Sequence, residues 1–248
     1  MDMKHFWTHK DNIPEGYGYG QFTPAHYGLI VFTVLLTIVT TVAYGASNAH
    51  TRIVILRTIA ATLIISDIIK MIVIALSPVK FSDYLPLELC SFAAYSIVCD
   101  SIVPDNTFFP VLLVTLFLPA AIMAIIFPTT TPLPVFNFHS IHQFLFHGLI
   151  VAYVMARFIN GEIPLSYPMV WSAILKASVL VGIMYVVDTV FDKNFMFLRD
   201  TYGNAMLGAI EKVTGKGIPY VFGLVCFSVF MIHVFFFIFK IIEILFIR

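Results

Sequence analysis

Apolar runs of about 20 residues, separated by short polar or proline-rich breaks, recur along the whole chain. A helix needs ~20 apolar residues to cross the hydrocarbon core of a bilayer, so each run predicts a span. Seven are placed, at about 25–45, 53–76, 84–102, 107–127, 138–159, 170–191 and 219–245. Pro24 suits the start of the first, Pro78 ends the second, and the proline-rich TPLP at 131–134 closes the fourth. Pro119 falls inside the fourth, where a missing N–H threatens the helix. The expected fold class is all-α: a polytopic seven-transmembrane helix bundle forming one domain over 25–248, after a polar, interfacial N-terminal segment over 1–24. Trp7, Tyr17, Tyr19 and Phe22 suit that segment to the headgroup zone. In the longest loop, Met206, Leu207 and Ile210 stand at helical spacing and predict a short amphipathic helix over about 201–213.

Composition agrees and narrows the function. The 248 residues are 60% hydrophobic and 11% charged, with a mean hydropathy of +0.94, against about 25% charge in a soluble domain. A water-soluble fold is excluded. With a net charge of zero and no basic stripe, nucleic acid is not an expected partner. Cys90, Cys99 and Cys226 lie in or beside apolar runs, and an odd number there is no disulfide framework. A multi-pass protein of the cell membrane is the expectation.

Charges and imidazoles at membrane depth cost several kcal/mol unless paired or solvated, so they point to function. Asp67 and Lys70 stand at i,i+3 and predict an ion pair on one helix face. The fifth span is the densest. His139, Gln143 and His147 fall within an arc of roughly 80° at 100° per residue, with His142 beside it. His147 is followed by Gly148, which lets another backbone or a lipid chain come close. Three histidines raise zinc, but H-x2-H-x4-H is not a standard ligand spacing. Asp188, Glu88 or His233 would have to complete such a site. Cys90 lies in the first turns of the third span, after Pro86, where unpaired N–H groups favour a thiolate. A buried small hydrophobe is the plain alternative.

Several blocks then resemble a known group. They are Thr51-Arg52 through Arg57, LPLELC at 85–90, LPAAIMAIIFP at 118–128, FHSIHQFLFHGLI at 138–150, NFMFL at 194–198 and IPYVF at 218–222. Together they resemble the YwaF-like family of bacterial multi-pass membrane proteins and their eukaryotic relative, transmembrane protein 164. The resemblance implies lipid chemistry: an acyltransferase (transacylase) moving a fatty acyl chain between phospholipid and lysophospholipid with a cysteine and a histidine. Those roles carry over to Cys90 and His147. Glu88 stands where the family often has histidine, Phe146 where it has a small residue, and Arg199-Asp200 where Lys-Pro is usual.

On this reading Cys90 and His147 are the catalytic candidates. His142, Gln143 and Asp188 are candidates to orient the base, and Asn194 or the first N–H groups of span three to hold an oxyanion. Glu88, His139, Arg57 and His233 are candidates for the substrate pocket. No cofactor and no metal are expected. Both spans start from the N-terminal side, with Cys90 about six residues in and His147 about nine, so their depths differ by roughly 5 Å at ~1.5 Å per residue. A zinc-dependent intramembrane lipid hydrolase and a non-enzymatic transporter or lipid-binding protein are the alternatives. A pocket opening sideways to lipid favours lipid chemistry, and a pore along the bundle axis favours transport.

Overall fold

The computed structural model describes residues 4–103, 106, 108–163 and 165–247. Six helices are long and apolar enough to cross a membrane: α1 (Pro24–Gly45), α2 (Ala49–Ala75), α4 (Phe109–Ile126), α5 (Phe138–Ile159), α6 (Tyr167–Phe191) and α8 (Ile218–Ile247). Between them, α3 (Leu89–Ile102) is shorter and α7 (Ala205–Thr214) is the helix expected in the long loop. The expected seventh span is α3, and it does not reach full length. Its 14 residues give about 21 Å at 1.5 Å each, against a core of about 30 Å. Hydropathy alone starts this span at Tyr84, but Pro86 interrupts there, and residues 84–88 run without helix into Leu89. The Pro86 carbonyl accepts from the Tyr95 hydroxyl at 2.9 Å, so this irregular backbone is satisfied inside the protein. The expected start of span four at 107, residues 1–3 of the N-terminal segment and residue 248 lie outside the described residues.

The caps explain where helices begin. Thr23 Oγ1 accepts from His26 N before Pro24, Asn48 from Thr51 N, Asn137 from His139 N, and Asn204 from Met206 N and Leu207 N. Each satisfies an N–H that has no partner within its own helix. Asp192 ends α6 in the left-handed conformation (φ 51°). Pro119 does not break α4. Residues Leu113–Phe117 widen into a π turn just before it, which accommodates a proline that cannot donate to the preceding turn.

α5 is the central helix. Of the most apolar window of α4 and of α5, 67% is buried, against 11% in α1 and α8. On α1, Val31, Leu35, Ile38, Val39 and Val42 are exposed, as are Trp171, Leu175, Val179, Ile183, Val186 and Val190 on α6. Such apolar faces suit lipid. Gly148 sets the α1–α5 approach: a Cβ there would stand 3.2 Å from Thr33 Cγ2 and 3.4 Å from Leu36 Cδ2.

At the far end of α5, buried polar groups form a clamp. Arg157 pairs with Asp100 of α3 and, at 3.2 Å, with Glu162. Tyr153 donates to Asp100 at 2.7 Å. Tyr44 of α1 donates to Glu162 at 2.7 Å, and Arg52 of α2 reaches Glu162 at 3.3 Å. Four helices are thereby tied at one point.

Candidate functional site

At the opposite end, the N-terminal segment folds back over the bundle. Asn137 donates to the carbonyls of His5 (2.7 Å) and Thr8 (2.9 Å), and Phe138 N donates to Phe6 O. His9 is thereby packed edge-on against Tyr84 and His139, with ring centroids 4.7 and 5.2 Å apart. Burial holds the His9 imidazole below its ordinary value, although Asp11, 3.3 Å away, partly opposes this.

Beneath this segment lies a cavity of about 710 Å³, within the range of small-molecule sites. Its wall brings Cys90, His147, His142, Gln143, His139, Glu88 and Asn194 together. The other part of the wall is apolar and comes from α4, α6 and α8, including Leu180, Val181, Leu224, Phe227 and Ile232. Ser178 also lines it, yet is exposed midway along α6. The cavity therefore reaches the lipid-facing surface at mid-span.

The local fold places each polar group. Cys90 is the second residue of α3, after the N-cap Glu88. The N–H groups of Ser91 and Phe92 bond to the Glu88 carbonyl, while those of Leu89 and Cys90 precede the first intrahelical donors. His147 Nδ1 lies 2.7 Å from the Gln143 carbonyl. A carbonyl only accepts, so Nδ1 carries the proton and the neutral ring keeps its lone pair on Nε2. The Gln143 side chain donates to Ala124 O of α4 at 3.1 Å. His142 stacks on Phe146, with centroids 5.1 Å apart. Among the described residues, the Nε2 atoms of His142 and His139 are buried without a hydrogen-bond partner.

The other expected residues stand differently. Asp188 is fully buried and accepts from Phe195 N at 2.9 Å through Oδ1, so it anchors the 194–198 loop and does not line the cavity. The Asn194 amide donates to Asp200 O, and its oxygen accepts from Arg199 N and Asp200 N. Its side chain therefore caps its own loop. That loop holds Met196 and Phe197 at positive φ (56° and 60°), a conformation that costs energy in non-glycine residues. Glu88 fixes it by accepting from Met196 N at 2.7 Å. Arg57 reaches Ser101 O at 3.5 Å, toward the opposite end. His233 lies between Val229 O (2.8 Å) and the Tyr167 hydroxyl (3.4 Å), outside the wall. Among the described residues, no three of His, Cys, Asp or Glu are placed to share a metal ion.

Sequence reasoning missed two contributors. Lys70, read only as the partner of Asp67, pairs with it as expected but also lines the cavity. The N-terminal residues His9, Lys10 and Asp11 line it too, and nothing in their local pattern announces a return to the bundle.

Comparison with known proteins adds a family and little else. No curated protein and no solved structure matches the chain. The sequence model described as the TMEM164 family matches residues 21–239, a stretch that takes in α1 to α7, most of α8 and every cavity residue outside the N-terminal segment. This multi-pass membrane protein belongs to the TMEM164 family.

Proposed function

We propose that the chain is a phospholipid acyltransferase of the cell membrane, working through a thioester on Cys90 with His147 as base. One observation carries the reading. A thiol at a helix N-terminus and an imidazole with its lone pair on Nε2 share one cavity. That cavity is polar at one end, apolar along the other, and reaches lipid at mid-span.

The chemistry follows from these atoms. Nε2 of His147 takes the proton of the Cys90 thiol, and the thiolate attacks an ester carbonyl of a phospholipid. The N–H groups of Leu89 and Cys90 face the developing oxyanion. The bond to the glycerol oxygen breaks, that oxygen takes the proton from His147, and lysophospholipid leaves. A second lysophospholipid then gives its hydroxyl proton to Nε2 and attacks the thioester. The acyl chain moves to that oxygen, and sulfur regains the proton. Gln143 holds the tautomer through its carbonyl. Limited access of water in a lipid-lined cavity favours transfer over hydrolysis.

The test is intact mass after incubation with phospholipid vesicles. Wild type should gain one fatty acyl mass that hydroxylamine removes, and Cys90→Ala should gain none. An adduct that survives in Cys90→Ala, or that is missing from both proteins, refutes the thioester.

A further inference from the structure

The charged groups in the cavity wall divide unequally. Its three carboxylates are all engaged. Asp11 accepts from the Tyr84 hydroxyl at 2.8 Å, Asp83 pairs with Lys193, and Glu88 accepts from Met196 N. Its two lysines are not saturated. An ammonium has three donors. Among the described residues, Lys70 pairs with Asp67 alone, while Lys10 has only the Tyr202 ring, 6.0 Å away. Both lysines line the same cavity wall as Glu88 and His139. Asp67 is buried. It offsets the cost of keeping a cation at membrane depth, and the two meet as a charge pair in which, among the described residues, Asp67 Oδ1 makes no hydrogen bond. The unused bonding capacity at this end of the cavity is therefore cationic and donating.

We propose that Lys70 and Lys10 form a phosphate anchor, holding the phosphate of a lipid headgroup at the polar end of the cavity. A phosphate offers several acceptor oxygens and a negative charge, matching two ammonium groups with free donors. The remaining contacts follow. The lipid tail extends into the apolar wall of α4, α6 and α8. The glycerol esters, adjacent to the phosphate, fall beside Cys90, which lines the same cavity as Lys70. Asp67 is a positioning residue, fixing Lys70 from one turn away.

The proposal rests on a lipid ligand but not on the thioester, so it is tested in Cys90→Ser protein, which cannot form one. Native mass spectrometry from a maltoside detergent compares dioleoyl-phosphatidylcholine with dioleoylglycerol, which has the same tails and no phosphate. The phospholipid should be retained at least tenfold better. Asp67→Asn/Lys70→Met with Lys10→Met removes the anchor without stranding a buried carboxylate, and should bring retention to the dioleoylglycerol level. Lys70→Arg should preserve it. Equal retention of the two lipids by the parent protein overturns the proposal, as does unchanged preference in the triple variant at equal thermal stability. Inorganic phosphate is the second source of the same chemistry. Displacement of the phospholipid by equimolar inorganic phosphate would overturn the lipid assignment, and no displacement supports it.

Discussion

The Arg157 clamp makes a stability prediction that can be worked through charge by charge. In Arg157→Met, the Asp100 carboxylate, fully buried, keeps among the described residues only Tyr153 and, at 3.1 Å, Asn106. Removing one partner of a buried pair costs about 3–5 kcal/mol, because the other charge is left uncompensated. Asp100→Asn is milder. Arg157 retains Glu162 at 3.2 Å, so the loss is that of charged hydrogen bonds, about 1.5–3 kcal/mol. The double variant leaves no isolated charge at that point, since Glu162 still has Arg52 and Tyr44. It should be more stable than Arg157→Met alone, with a coupling of about 2 kcal/mol, well above the ~0.6 kcal/mol average for polar contacts between membrane helices. Reversible unfolding in mixed micelles, titrated with SDS, measures all three. If the two single effects simply add, or if Asp100→Asn is the more damaging, the clamp is not held by charge compensation.

Other consequences can be checked more briefly. His147→Ala should slow alkylation of Cys90 by a small maleimide at neutral pH while His142→Ala leaves it nearly unchanged; equal slowing would move the base assignment off His147. Gly148→Leu forces side-chain atoms against Thr33 and Leu36 and should destabilise by about 1–3 kcal/mol, as overpacking does, with Gly148→Ala milder in the same unfolding assay. Asp188→Ala should free the 194–198 loop, seen as faster hydrogen exchange at Phe195, without altering the alkylation rate of Cys90. For His9, the folded value lies below the ordinary 6.5, so the unfolded segment binds protons more readily and its docking is complete above pH 6.5 and weakens as pH falls below it. Trp7 emission in a Trp171→Phe background should shift to the red on acidification, and His9→Phe should abolish the shift.

Much of this fold was legible because lipid imposes a simple rule. A run that must cross hydrocarbon has to be long and apolar, and six of the seven expected runs are helices of that length. Pro78 and the proline-rich TPLP at 131–134 stand just beyond the ends of α2 and α4, because a proline backbone cannot continue a helix. α3 was read too long because hydropathy does not register Pro86, which stops the helix from extending back to Tyr84. The polar stripe on α5 was legible for the same reason as the spans: His139, Gln143 and His147 share an arc, and an arc of that polarity has to face inward. Roles within the stripe were not. Nor does the pattern tell Gln143 on α5, whose carbonyl fixes the His147 tautomer, from Asp188 on α6, which anchors the 194–198 loop.

The least legible part of the cavity is its polar end, and the reason is physical. The apolar wall is built from spans, whose periodicity reports burial against lipid. The polar end is built from the segments that periodicity treats as connections: residues 9–11, 83–88 and 194–204. Their positions are fixed by single hydrogen bonds between distant residues, such as Asn137 to His5 and Thr8, Glu88 to Met196 and Tyr84 to Asp11. A bond of this kind leaves no repeating trace in a sequence. Lys70 shows the same limit from the other direction. Its i,i+3 spacing from Asp67 correctly predicts the pair, but a spacing rule does not register that the same lysine lines a cavity. A cation in a cavity wall, unlike one enclosed between helices, keeps a face on which a ligand can bond.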